Sequence, residues 1–108
     1  MDECPPFAAD CGVRLATGLL AHQWDPVVLM ALRAGPRRRL DLLADVRGIS
    51  DKVLYESLRR LTGSGLVARV TDGRAVAYEL TGLGASLADG PLLELGRWAE
   101  RHLDELPL

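Results

Sequence analysis

The sequence has 108 residues, 48% of them hydrophobic, enough for one domain around one core and too few for two independent ones. No run approaches the roughly 18–20 apolar residues of a membrane span, and the first ten positions hold Asp2, Glu3 and two prolines rather than a basic leader. The expectation is a cytoplasmic protein with no membrane partner.

The net charge of −2 argues against a nucleic-acid partner only until it is resolved along the chain. From Arg33 to Glu79 there are ten basic and six acidic side chains, a net +4, whereas the flanks carry three and nine, a net −6. A basic centre between acidic ends is expected if the middle meets a polyanion and the ends meet something else. Cys4 and Cys11 both precede the first apolar periodic segment, so alone they build neither a disulfide scaffold nor a four-ligand metal site. His22 and His102 have no Cys or His at ligand spacing. There is no Ser, His and Asp set and no phosphate loop, so no catalytic residue, metal or cofactor is expected and the enzyme reading lapses.

In chain order, residues 1–10 read as a tail. Val13 to Ala21 is apolar enough for a first helix. Asp25-Pro26 reads as an N-cap followed by proline at the first helical position, and Val27 to Leu32 continues that second helix. Because it is apolar on every side, it should be covered all round; Gly35-Pro36 ends it. A short third helix fits Leu40 to Val46, with Leu42, Leu43 and Val46 as its inward stripe, and Arg47-Gly48 turns the chain. Ser50 caps a fourth helix running to about Thr62, whose Leu54, Leu58 and Leu61 recur at i, i+4 and i+7. At about 100° per residue, Lys52, Tyr55, Glu56 and Arg59 fall on the opposite side, free to touch a partner.

Two strands follow, Leu66 to Val70 and Ala75 to Leu80, around Thr71-Asp72-Gly73-Arg74, where Asp-Gly signals a tight hairpin turn. Thr81 caps a fifth helical segment, and Gly90-Pro91 breaks it before a last helix from Leu92 to about Leu106.

The resulting class is mainly α with a small β-hairpin. A helix, a short helix, a turn, an amphipathic helix and then a hairpin is the order of a winged helix-turn-helix of about six helices, in which the fourth enters a major groove and the hairpin is the wing. Cations are spread over three elements of that surface: Arg37, Arg38 and Arg39 before the third helix, Arg59 and Arg60 on the fourth, Arg69 and Arg74 on the hairpin. Arg37, Arg38, Arg60 and Arg69 suit phosphates, and Lys52, Tyr55 and Arg59 suit base edges, Arg or Lys matching guanine O6 and N7. Ser50, Arg39 and Arg74 complete the expected contact set. Glu56 would repel phosphates unless it accepts from a cytosine amino group or pairs with Arg60 one turn on; the pairing is the favoured reading. The rival class is a winged helix used for protein binding, its basic face docking an acidic partner.

The ordered residues Cys11, Trp24, Gly35-Pro36, Arg38, Asp41-Leu42, Gly48-Ile49-Ser50, Leu54, Leu58-Arg59, Leu61, Gly65-Leu66-Val67, Arg69, Tyr78-Glu79-Leu80-Thr81, Gly84, Leu87 and Trp98 resemble the HxlR family of bacterial regulators of transcription. The likeness runs from about Cys11 to Arg101 and places residues 11–108 in one such domain. Arg39 stands where the family usually has phenylalanine and Tyr55 where threonine is common, and the wing is short and lacks prolines, so groove contacts are expected to differ from those of relatives. The resemblance implies a homodimer in which the first and last helices pair, setting two reading helices on a palindromic operator in double-stranded DNA. An apolar stripe of Leu92, Leu95, Trp98, Ala99 and Leu103 on the last helix is compatible with that pairing.

The resemblance also implies a place to look for a signal, because some members sense oxidants or electrophiles at the cysteine corresponding to Cys11. Arg14 at i+3 favours a thiolate there and Asp10 opposes it; a small buried thiol is the plainer reading. A small aromatic effector lodged between Trp24 and Trp98 is the second option, with core packing as the alternative for both rings.

Overall fold

The structure, a computed structural model, describes residues 11–107; the expected tail over residues 1–10 lies outside them. The elements in order are α1 (Gly12–Gly18), α2 (Asp25–Ala31), α3 (Arg39–Asp45), α4 (Asp51–Gly63), β1 (Val67–Asp72), β2 (Ala75–Leu80), α5 (Gly82–Leu87), a π-turn (Ala88–Leu92) and α6 (Leu93–Arg101). No helix among the described residues is long and apolar enough to cross a membrane.

The core forms where the apolar stripes of α2, α3 and α4 converge. Val28 and Leu29 from α2 and Leu32 at its end meet Leu42 and Val46 from α3 and its end, Leu54, Leu58 and Leu61 from α4, and Leu66 and Val67 at the start of the hairpin. Leu54, Leu58 and Leu61 are buried, each stabilising the fold by about 1.5–3 kcal/mol relative to exposure. The second helix is less covered than its composition suggests, because Val27 is 43% exposed.

Helix ends follow local chemistry. Ser50 accepts from the Val53 N–H at 3.1 Å and so caps α4. Thr81 caps α5 by accepting from the Gly84 N–H at 3.0 Å, while its hydroxyl donates to the Gly65 carbonyl at 2.6 Å. Asp25 departs from expectation: it is the first residue of α2 rather than its cap, and its side chain makes no cap bond. Its carboxylate is turned into the protein instead, where stronger donors are available. The first helix also ends early, at Gly18 rather than Ala21.

The hairpin pairs β1 and β2 antiparallel from Val67 opposite Leu80 to Asp72 opposite Ala75. The first strand therefore runs past Val70, and the turn shrinks to Gly73-Arg74. Gly73 has φ of 63° and no described non-glycine residue has positive φ, which suits a turn with glycine at its first central position. An isolated bridge adds Arg37 to the outer side of β2: its N–H donates to the Tyr78 carbonyl at 2.9 Å and its carbonyl accepts the return bond from the Tyr78 N–H at 2.8 Å. The base of the hairpin is thereby tied to the residue two positions before α3.

Gly90-Pro91 does not break the last helix. Helical residues continue from α5 to α6 through the π-turn, so the six α-segments make five helical bodies. In an α register the Pro91 ring would meet the Leu87 carbonyl and lack its N–H partner; widening one turn to i→i+5 accommodates both defects. Ala88 and Leu92, buried in that turn, pack it against α2, and Arg33 donates to Asp89 at 2.8 Å beside it.

Candidate nucleic-acid interface

Because Leu54, Leu58 and Leu61 point inward, the opposite face of α4 is forced outward. Lys52, Tyr55, Glu56 and Arg59 are all exposed there, as the spacing predicts. Tyr55, Leu58, Arg59 and Thr62 of α4 face Arg69 and Tyr78 of the hairpin across a cleft of 320 Å³. Arg69 and Tyr78 also line a second cleft of 430 Å³, with Arg38, Arg39, Asp41 and Val76. The start of α3, the outer face of α4 and the hairpin therefore meet around Arg69 and Tyr78. Ser50 and Lys52 lie at the start of α4, and Arg74 at the hairpin turn, all three exposed.

The structure sorts the arginines in a way that composition cannot. Arg37 pairs with Asp45, Arg39 with Asp51, Arg33 with Asp89 and Arg60 with Asp25. Arg38, Arg47, Lys52, Arg59, Arg69 and Arg74 are exposed and make no ion pair among the described residues. Arg37 is further constrained by its backbone bridge to Tyr78, and its Nε is buried with no hydrogen-bond partner.

The expected Glu56–Arg60 pair is replaced. Arg60 donates from Nε and Nη2 to both oxygens of Asp25, at 3.0 and 2.9 Å, and Ser57 donates to the same carboxylate at 2.6 Å. This bidentate hydrogen bond holds the Arg60 guanidinium above its ordinary pKa, and the charge of Glu56 adds to the effect from a distance. A carboxylate that is already buried offers better-aligned partners than an exposed one on the same helix, which explains the choice.

The other singled-out residues lie elsewhere. Trp24 is half-buried against the core, its ring 3.5 Å from the position of a Cβ on Gly48, in the turn between α3 and α4. Trp98 is 47% exposed on α6, its ring 5.0 Å from that of His102. Neither ring lines the clefts beside α4. Cys11 is half-buried at the start of α1 and disulfide-bonded. That corrects the expectation of a thiol, since a sulfur already in an S–S bond is not a thiolate; Cys4 lies outside the described residues.

Three residues of this region carry no periodic signal in the sequence. Asp25 hides inside a helix-start signature, Ser57 is a polar residue beside an apolar stripe, and Arg47 is an exposed cation in the turn leading into α4.

This arrangement matches known proteins along nearly its whole length. The HxlR-like helix-turn-helix family matches residues 19–107. The chain belongs to the HxlR family. The HTH-type transcriptional regulator YtfH of Escherichia coli is 32% identical to this HxlR chain over 93% of it and 81% of the relative. In three dimensions the chain is similar to the transcriptional regulator ytfH from Salmonella typhimurium, with a TM-score of 0.75 and 33% identity over 92% and 90% of the two chains. It is also similar to the reduced form of the transcriptional regulator YodB from Bacillus subtilis, with a TM-score of 0.74 and 28% identity over 84% and 92%; YodB has been solved quinone-bound as well. As an HxlR-family winged helix-turn-helix protein, the chain is a DNA-binding regulator of transcription.

Proposed function

We propose that the chain binds a palindromic operator as a homodimer, with α4 in the major groove and the hairpin over the neighbouring backbone. The observation that carries this is the outward face of α4, where Lys52, Tyr55 and Arg59 stand exposed beside Glu56 with no leucine among them. Arg59 and Lys52 read guanine edges, Tyr55 packs on bases, and Glu56, no longer engaged with Arg60, accepts from a cytosine amino group. Arg38 and Arg69 hold phosphates beside the two clefts, and Arg74 reaches the backbone or minor groove from the hairpin turn. Arg47 extends the phosphate set from the turn before α4. Arg37, Arg39 and Arg60, already paired, shape this surface more than they neutralise DNA.

Two-fold pairing is supported by apolar surface that one chain leaves uncovered. Val13, Leu15 and Leu19 of α1 and its end are 68, 60 and 41% exposed, and Leu95, Trp98 and Leu103 of α6 and its end are 53, 47 and 52% exposed. Uncovered apolar side chains on two helices mark an interaction surface, and a second copy of the same helices satisfies both at once. The protein acts in the cytoplasm, where its DNA is. Its signal is a change of redox state at Cys11: reduction of the disulfide there frees a thiolate, on which an oxidant or electrophile can then act, a reading in line with the likeness to YodB, solved in reduced and quinone-bound forms.

The test is a selection from random duplexes followed by binding measured over a salt series. Operator binding predicts one enriched palindrome, preferred by about 10³-fold or more over random duplex and weakening steeply with salt. Weak binding indifferent to sequence would instead favour docking of an acidic protein.

A further inference from the structure

Apolar packing seats α4 but constrains its rotation less sharply than a directional bond does. The attraction that buries Leu54, Leu58 and Leu61 is itself non-directional, so small rolls of the helix are opposed by packing alone. Reading bases does not tolerate rolling: a roll of about 15° moves a side-chain tip about 6 Å from the axis by about 1.5 Å, enough to break a hydrogen bond.

One polar contact in the core supplies the missing direction. Asp25 is 3% exposed and Ser57 is fully buried, and they join at 2.6 Å across 32 residues of sequence. Arg60 closes the group with two parallel bonds at 3.0 and 2.9 Å. On a helical projection Ser57 lies at one edge of the leucine stripe and Arg60 lies one step further round, beside Glu56 and about 80–100° from Lys52 and Arg59. With Glu56 and Arg59 it lines a shallow cleft. A planar fork on a carboxylate constrains angle as well as distance. Asp25 is itself held: it opens α2, whose Val28 and Leu29, with Leu32 at its end, are core residues, and it follows Trp24, which covers Gly48 in the turn before α4. Buried ion pairs contribute little net stability compared with apolar packing of the same volume, so the use of this one is directional.

We infer that Asp25, Ser57 and Arg60 form a clamp that fixes the rotation of α4, making them positioning residues for operator selectivity that do not themselves touch DNA. The inference rests on α4 being the helix that reads the groove.

The experiment measures dissociation constants for a palindromic duplex selected by the wild-type protein and for a random duplex of equal length, across a salt series. The proteins are Ser57→Ala, Asp25→Asn, Arg60→Met, the Asp25→Asn/Arg60→Met double variant and Arg59→Ala as benchmark. The clamp predicts that each single clamp variant lowers the preference for the selected duplex about tenfold, the scale of a lost base contact, with random-duplex affinity and salt slope unchanged. The double variant should be no worse than its worse parent, because both substitutions remove one unit. Ser57→Ala, which deletes one hydroxyl, and Arg60→Met, whose side chain is partly exposed, decide the matter should Asp25→Asn fail to fold. Wild-type selectivity in the clamp variants, alongside a selectivity loss in Arg59→Ala, overturns the clamp alone. A drop in affinity for both duplexes in Arg60→Met, with the salt slope reduced by about one, makes Arg60 a phosphate contact and also overturns it. If Arg59→Ala keeps full selectivity, α4 is not the reading helix and both inferences fall.

Discussion

Gly84 sits against the Leu66 backbone so closely that a Cβ built on it would stand 1.9 Å from the Leu66 carbonyl oxygen. That carbonyl accepts from the Thr81 N–H at 3.1 Å, so the end of the hairpin and the start of α5 are locked through one peptide group. Neither backbone segment can retreat without losing a buried hydrogen bond.

Gly84→Ala is therefore expected to destabilise the fold by about 3 kcal/mol, the upper part of the overpacking range. A thermal melt should show Tm lower by more than about 10 °C for a domain of this size. A shift within about 2 °C would show that α5 can move away freely.

At the DNA surface, Arg59→Ala and Arg38→Ala should differ in kind. Loss of Arg59 is expected to cost about 1–3 kcal/mol on the selected operator and relax the base choice at one position. Loss of Arg38 should weaken selected and random duplexes alike and reduce the salt slope by about one. Identical behaviour of the two variants would refute the division between base and phosphate contacts.

Pairing through the terminal helices predicts that Leu95→Lys combined with Trp98→Lys yields a folded monomer. Both side chains are exposed in the single chain, so the substitution disturbs no monomer core. Sedimentation velocity should show a dimer for the wild type and a monomer for the variant, with operator affinity falling together with assembly. A variant that remains dimeric places the interface elsewhere.

For the signal, treatment with a thiol reductant should change the operator affinity of the wild-type protein and diamide added after the reductant should restore it, and Cys11→Ser should abolish the difference. The cysteine opens α1, a helix with three exposed apolar side chains at or beyond its first turn, so a change of its bonding reaches the pairing surface directly. Equal redox sensitivity in Cys11→Ser would dismiss the cysteine as the sensor.

Local chemistry was legible in the sequence because it depends on neighbours a few residues away. The caps at Ser50 and Thr81, the leucine stripe of α4 and its polar opposite face, and the hairpin about Gly73 all follow from spacing and backbone preference. The order of those elements sufficed for the winged helix-turn-helix fold, and the succession of motif residues for the family.

What only the tertiary structure decided is which charges are engaged with one another. The basic stretch from Arg33 to Glu79 looks uniform along the chain, yet Arg33, Arg37, Arg39 and Arg60 are each paired with an acid eight or more residues away. Asp25 shows the cause most directly: an Asp-Pro pair is a helix-start signal to any local reading, but folding brings Ser57 and Arg60 to its carboxylate. Once buried, a charge takes the partners that the packing of other helices delivers, because leaving it unpaired costs far more than a cap contributes. The Gly90-Pro91 step resolved in the same manner, since burial of Ala88 and Leu92 against α2 kept the chain helical where local preference alone would have ended it.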